Sequence, residues 1–305
     1  MQFSPSESSI KNRLANVLNR FLYHLAQEEC SISCLKETGG GSISRALIAE
    51  TNQGKYFVKL NNASSLAMFE AEADGLLALG TCPHLRIPRL IGHESDELHA
   101  YLILEYIDMR PLPKGSASTT AGRALAQLHG KTGAHFGWHR DNFIGRTPQP
   151  NTSHTNWLDF FLHERLLPQL ALAKDRQAGA LVESGERLAE NLHAFFTTHQ
   201  PAASLLHGDL WHGNAAIDER GQLVLFDPAV YFGDREADLA MTRLFGGFSS
   251  DFYAAYQEIW PPSAGHRQRE TLYNLYHVLN HFNLFGGAYR SEAEQMIGTL
   301  LAETR

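Results

Sequence analysis

Cysteine is scarce. The chain holds three, Cys30, Cys34 and Cys82, among 305 residues. An odd, low count excludes a disulfide framework and suits a reducing cytosol, so a cytoplasmic location is expected. Cys30 and Cys34 lie four apart, yet no neighbouring His or Cys completes a metal set, and all three read as ordinary thiols. A basic excess is lacking as well: 26 Lys and Arg face 33 Asp and Glu, a net charge of −7. That argues against nucleic acid as a partner, which calls for a basic face. A small phosphate ligand held by a few residues stays open. No apolar run approaches the roughly 20 residues of a membrane span, so no membrane partner is expected. The opening "MQFSPSESSI" lacks the basic-then-apolar order of a secretion signal. Internal repeats and low-complexity tracts are missing too.

Amphipathic and alternating segments are what the chain does have. Leu14, Val17, Leu18, Phe21, Leu22 and Leu25 recur at three and four and predict a helix over 11–29. Strands are expected over 44–50 and 56–60, joined by the "TNQG" turn. A helix is predicted over 64–80, then strands in "RIPRLIGHE" and "AYLILEYI" with a polar break at 94–99. "DMRPLPKGSAST" is the best boundary in the chain, dividing residues 1–107 from 108–305. Beyond it, helices are expected over 119–130, 155–173 and 180–199, with several more after 250. Short strands at 215–217 and 223–226 interrupt them. Residues 136–154 read as a long aromatic loop, and long ordered loops are often functional.

Four features carry chemistry. The stretch "SLLHGDLWHGNAAID" (204–218) places Asp209 five residues before Asn214. A turn after a strand accounts for both side chains. Alternatively, Asp209 orients an attacking hydroxyl and takes its proton, and the Asn214 amide oxygen coordinates Mg²⁺. Asp227 ends the apolar run "LVLF", where a carboxylate is costly to bury without a partner such as Mg²⁺. Lys59 lies in "YFVKL", and a Lys there either faces solvent or is paired. Glu70 and Glu72 are the candidate partners and, two apart on a helix, they cannot face the same way. Last, Gly39, Gly40 and Gly41 with Ser42 precede a hairpin. Such glycines give either a flexible turn or a backbone cradle for phosphate. An Asp, an Asn five residues on and a second Asp after a hairpin is the order found in phosphoryl-transfer enzymes of the kinase type.

"HGDLWHGNAAI", "FDPAVYFGDREADLAM", "GGGSISRA", "FVKL", "FEAEADGL" and "FGWHRDNFIGRTPQPN" together resemble the fructosamine (ketosamine) kinase family, from about Gly39 to residue 288. The resemblance implies an α+β, two-lobed protein-kinase-like fold: a small β-rich nucleotide-binding lobe over 1–107 and a larger, mainly helical lobe over 108–305. It implies ATP-dependent phosphorylation of a ketosamine at the sugar 3-hydroxyl, leading to deglycation, with ATP and Mg²⁺ required. Asp209 becomes the base, and Asn214 and Asp227 the Mg²⁺ ligands. Lys59, paired with Glu72, and the loop Gly39 to Ser42 meet the phosphates. Glu105, Tyr106 and Ile107 form the hinge at adenine. Trp211 packs against the acceptor, with Asp141 and Asn142 shaping its site. The partner is a small ketosamine or a glycated protein lysine, and the chain a monomer or homodimer. Ser42 stands where some relatives carry Cys, so a redox switch in that loop is not implied. Other acceptors of the same fold (an aminoglycoside, choline, homoserine or a sugar) are the alternative, as is a nucleotide-binding pseudokinase. Asp234, Arg235, Glu236 and Asp238 read as helix-capping residues, with Asp238 able to buttress the catalytic loop. His139, His154 and His163 read as surface or core-edge groups, and Trp157, Phe160 and Phe161 as core.

Overall fold

The structure is a computed structural model that describes residues 7–26, 29–39 and 43–304. The fold is α+β, and the chain divides into two compact units, Met1–Leu77 with Pro88–Asp108, and Ala78–Ile87 with Met109–Arg305. Among the described residues, no helix is long and apolar enough to cross a membrane.

The first unit is built on an antiparallel sheet. Helix α1 (Glu7–Ala26) is followed by β1 (Ile32–Thr38), β2 (Arg45–Thr51) and β3 (Gly54–Asn62). Helix α2 begins at Leu66 and runs to Leu79, and β4 (Leu90–Ser95) and β5 (His99–Glu105) complete the sheet in the order β1-β2-β3-β5-β4. The apolar stripe of α1 is buried at Ile10, Leu14, Val17, Leu18 and Leu22, against Val58, Tyr101 and Ile103 of the sheet. Strand β1 escaped the sequence reading because it is an edge strand: Ile32 alone in it is buried, so no alternation marks it. The expected helix over 11–29 starts earlier, at Glu7. The turn between β4 and β5 is an Asp96 loop, whose Oδ1 accepts from the N–H groups of Leu98 (2.8 Å) and His99 (2.9 Å).

The second unit is mainly helical. Strand β6 (Arg110–Pro111) and helix α3 (Ser116–His129) lead to a hairpin of β7 (Asn142–Ile144) and β8 (Thr147–Gln149). This hairpin stands where a loop over 136–154 is expected; its strands are three residues each and lie among aromatic and polar residues without an apolar run. Helix α4 (Trp157–Phe160) is capped by Asn156, whose side chain accepts from Leu158 N and Asp159 N. It passes through a six-residue π-helical segment, Phe161–Leu166, into α5 (Leu167–Asp175). One continuous α-helix was expected there, and the wider turn follows no signal in the sequence. Helix α6 (Gly179–Glu190) ends well before the expected residue 199 and gives way to a 3₁₀ turn at Leu192–Phe195.

Short strands β9 (Ser204–Leu206), β10 (Ala215–Ile217), β11 (Leu223–Leu225) and β12 (Tyr231–Gly233) follow, then helices α7 (Arg235–Leu244), α8 (Ser250–Ile259), α9 (His266–Phe285) and α10 (Tyr289–Glu303). β10 pairs with β11 and β6, and β9 with β12. Trp157, Phe160 and Phe161 are buried with Leu272, Tyr273 and Leu279 of α9 and Ile297 of α10, as their spacing implied. These strands and α7 carry the residues that follow.

Candidate active site

Strand β9 runs out into His207, Gly208 and Asp209. The turn is tied down by Asp238, in the first turn of α7. Its Oδ2 accepts from His207 N (2.7 Å) and its Oδ1 from Gly208 N (2.9 Å). Behind it, Asp238 Oδ2 meets His129 Nε2 at 3.2 Å, and His129 Nδ1 meets the Tyr256 hydroxyl at 2.7 Å. Burial alone would raise the Asp238 carboxyl, but the hydrogen bond from His129 and those of the turn hold it below the usual carboxylate range. The buttressing role expected of Asp238 is therefore met; its partner His129 lies 109 residues away in the chain, and Tyr256, which holds His129, lies 127 residues from that histidine. No local pattern could have found them.

His207 is fully buried and acts as a spacer. Its Nε2–H donates to the Phe226 carbonyl (2.9 Å), and its Nδ1 accepts from Asp209 N–H (3.2 Å). Both ring nitrogens are used by the neutral form, and burial pushes the imidazole pKa below its ordinary value. His277 on α9 is likewise buried and held down to about 3, first by burial and then by His281. The unfolded chain protonates these rings near 6.5, so it binds more protons than the fold does below that pH. Stability then falls as pH drops below about 6.5, and for His277 the loss runs on towards pH 3 at roughly 1 kcal/mol per pH unit. The melting temperature is expected to fall steadily between pH 6.5 and 4.5, and less steeply in His277→Asn. A flat profile over that range contradicts the buried neutral imidazoles.

Asn214 and Asp227 lie on the two sides of the β10–β11 hairpin. Asn214 closes a 3₁₀ turn, and its Nδ2 donates to the Asp209 carbonyl (2.9 Å) and to Asp209 Oδ2 (3.1 Å). Both partners are acceptors, so the amide can face them only with its NH₂, which turns Oδ1 the other way as an oxygen ligand. The Asn214 carbonyl accepts from Phe226 N (3.2 Å), which brings the residue before Asp227 alongside it. Asp227 holds φ at +57°, a left-handed conformation that Asp tolerates better than most residues. A carboxylate and an amide oxygen suit a hard divalent cation such as Mg²⁺.

Trp211, two residues past Asp209, is half-buried. Its ring meets Phe245 edge-on at 6.0 Å and packs over Gly213, where a Cβ would fall 2.3 Å from the indole. Asp141 is exposed, and its Oδ1 accepts from Asn151 N (2.8 Å). Asn142 is buried and its amide is committed inside the fold: Nδ2 donates to the Val230 carbonyl (2.7 Å), and Oδ1 accepts from Gln149 Nε2 (2.7 Å). Its reach is to the segment after Asp227, and Gln149, which the sequence reading did not single out, shares that work.

In the first unit, Lys59 Nζ lies 2.7 Å from Glu72 Oε1, with both side chains 12% exposed. The pairing left open between Glu70 and Glu72 falls to Glu72. Glu105 ends β5 and pairs with Arg89 through Glu105 N–H and the Arg89 carbonyl (2.9 Å), with Tyr106 and Ile107 following outside the strand. Gly39 is a bend with open space around it, and Gly40, Gly41 and Ser42 lie outside the described residues.

Asp234 is structural, as expected. It caps α7 by accepting from Glu236 N (3.0 Å), and its other oxygen takes the Tyr273 hydroxyl and His199 Nε2, each at 2.6 Å. Glu236 is held by Arg269 at 2.8 Å. His199, Asp234 and Glu236 are near enough to one another to hold a metal ion, but Arg269, Tyr273 and Ser263 already satisfy them. His154, at the core edge, meets Glu164 at 3.0 Å.

The family model for fructosamine kinase matches residues 14–303. A probable ketoamine kinase of Synechocystis sp. is 46% identical over 265 residues, covering 86% of this chain and 88% of its own. A chloroplastic protein-ribulosamine 3-kinase of Arabidopsis thaliana is 42% identical, covering 88% of this chain and 83% of its own. The crystal structure of a putative fructosamine-3-kinase from Haemophilus somnus superposes with a TM-score of 0.84 at 28% identity, covering 94% of this chain and 96% of that one.

Proposed function

The chain belongs to the fructosamine kinase family, and from that premise we propose that it transfers a phosphoryl group from ATP to the 3-hydroxyl of a ketosamine. The first unit serves the nucleotide, and the second carries the catalytic loop, the metal ligands and the acceptor site. Asp209 takes the proton of the attacking hydroxyl and orients it. Lys59, kept in place by Glu72, steadies the phosphates together with the Gly39 to Ser42 stretch, and the backbone of 105–107 meets adenine. Asn214 and Asp227 hold Mg²⁺, which neutralises charge on the phosphates. The observation that carries the reading is the Asn214 amide, which is bonded to Asp209 through its NH₂ and so offers its oxygen to a cation beside the base.

The acceptor is a small ketosamine or a glycated protein lysine. Phosphate at C3 makes the adduct unstable, and its breakdown frees the amine, so the outcome is deglycation. The three thiols are free, which fits a reducing cytoplasm. The test is ATP turnover with fructose-lysine, ribulose-lysine and an aminoglycoside side by side. Turnover with either ketosamine and none with the aminoglycoside supports the reading. Preference for the aminoglycoside, or no turnover with any acceptor despite nucleotide binding, contradicts it.

Trp211 gives the polar sugar a flat face and attracts a nearby cationic amine, worth about 0.5–2 kcal/mol. Trp211→Ala is expected to raise KM for the ketosamine several-fold with KM for ATP unchanged. A parallel rise in both KM values with a lowered melting temperature would mean that Trp211 braces the loop instead.

A further inference from the structure

The motif "RTPQPN" (146–151) contributes nothing to the chemistry above, yet its side chains and carbonyls are bonded to four separate parts of the second unit. Gln149 is buried, and its Nε2 donates to the Ala229 carbonyl (3.2 Å) as well as to Asn142 Oδ1. Its Oε1 accepts from the Tyr276 hydroxyl of α9 (2.6 Å). Arg165, in the π-helical segment, donates to the Pro150 carbonyl (2.6 Å) and to Asn151 Oδ1 (2.7 Å), and its guanidinium lies 4.0 Å from the Tyr231 ring centre.

What this turn grips is the segment just past Asp227. Pro228 has no N–H to give, and Ala229 and Val230 are buried. The Ala229 N–H goes to the His207 carbonyl (2.9 Å), on the catalytic loop. The carbonyls of Ala229 and Val230 accept instead from the side-chain amides of Gln149 and Asn142. The segment is thus held on one side by the catalytic loop and on the other by the β7–β8 hairpin. Asp227 itself sits in a left-handed conformation, which persists only where the surroundings impose it.

We propose that the β7–β8 hairpin clamps the metal-binding segment, with Gln149 and Asn142 as positioning residues that fix Asp227 by holding the two carbonyls beyond it. The proposal rests on the reading of Asp227 as a metal ligand. The orientation of Gln149 has one solution: its NH₂ faces two oxygens and its carbonyl faces a hydroxyl. The Tyr276 hydroxyl therefore acts through Gln149, and α9 becomes part of the support for a metal ligand. Partners of this kind typically change metal affinity by about ten- to a hundredfold when removed.

The test is a Mn²⁺ titration followed by electron paramagnetic resonance, in the presence of a non-hydrolysable ATP analogue, on the full chain and three variants. Gln149→Met keeps the volume and removes the donor; it is expected to weaken Mn²⁺ binding by about ten- to a hundredfold, with metal-free nucleotide affinity unchanged. Tyr276→Phe removes one hydroxyl and is expected to weaken Mn²⁺ binding by a smaller factor in the same direction. It decides the matter alone if Gln149→Met fails to fold. Unchanged Mn²⁺ affinity in the folded variants overturns the clamp. Asp227→Ala separates the two ideas. If it loses Mn²⁺ while the other variants keep it, the clamp alone is wrong. If it binds Mn²⁺ as the parent does, the metal reading of Asp227 fails and the clamp falls with it.

Discussion

Asp209→Asn should lower kcat by about 10²–10⁴ while leaving affinity for ATP close to that of the parent. The substitution keeps the size and shape of the side chain. An amide oxygen at 209 can still accept from Asn214 Nδ2, which reaches both the Asp209 carbonyl and Oδ2 in the parent. The backbone N–H of residue 209 still meets His207 Nδ1. What disappears is the capacity to take a proton, together with the charge that orients the attacking hydroxyl. A base that acts on the acceptor leaves the nucleotide indifferent to its loss. Steady-state rates and ATP affinity on one preparation decide the point. Near-parental kcat removes Asp209 from the chemistry.

Gly208→Ala should damage both the fold and the reaction. Gly208 holds φ at +83°, and a Cβ there would lie 2.0 Å from the Ala229 carbonyl oxygen and 2.7 Å from its carbon. Those atoms are backbone and cannot swing aside as a side chain would. Ala229 is also tied to His207 by its N–H. Relief of the clash must therefore part the catalytic loop from the segment that follows Asp227, or pull Gly208 N–H off Asp238. The left-handed conformation adds about 1–2 kcal/mol for a residue with a Cβ, and the displaced packing brings the total to about 3 kcal/mol or more. A melting temperature lower by roughly 10 °C and a kcat reduced well beyond that loss of stability are expected. An alanine variant that melts and turns over like the parent would show room at residue 208 that the structure does not have.

Legibility in the sequence followed the range of the interactions. The long amphipathic stripe of α1, the β2–β3 and β10–β11 hairpins and the Asp96 turn depend on neighbours a few residues apart, and their patterns survive in the sequence. The spacing of Asp209, Asn214 and Asp227 was readable for the same reason, since one loop and one hairpin carry all three. The choice between Glu70 and Glu72 was not, because it turns on the rotation of α2 relative to Lys59. The β7–β8 hairpin and the π-helical segment were missed. The hairpin is secured by Gln149 on Ala229 and Tyr276, residues 80 and 127 positions away, and nothing local announces it. Asp238 was legible as a helix-start acid, while its support from His129 and Tyr256 was not.

The central claim is the transfer of phosphate to one hydroxyl of a ketosamine. It is tested most directly by incubating the protein with ATP, Mg²⁺ and fructose-lysine and following the products by ³¹P nuclear magnetic resonance with proton coupling. The account predicts a new phosphomonoester coupled to the proton on C3 of the sugar, followed by its decay with release of free lysine. ADP formed without a phosphorylated ketosamine, or phosphate found on another hydroxyl of the sugar, would contradict it.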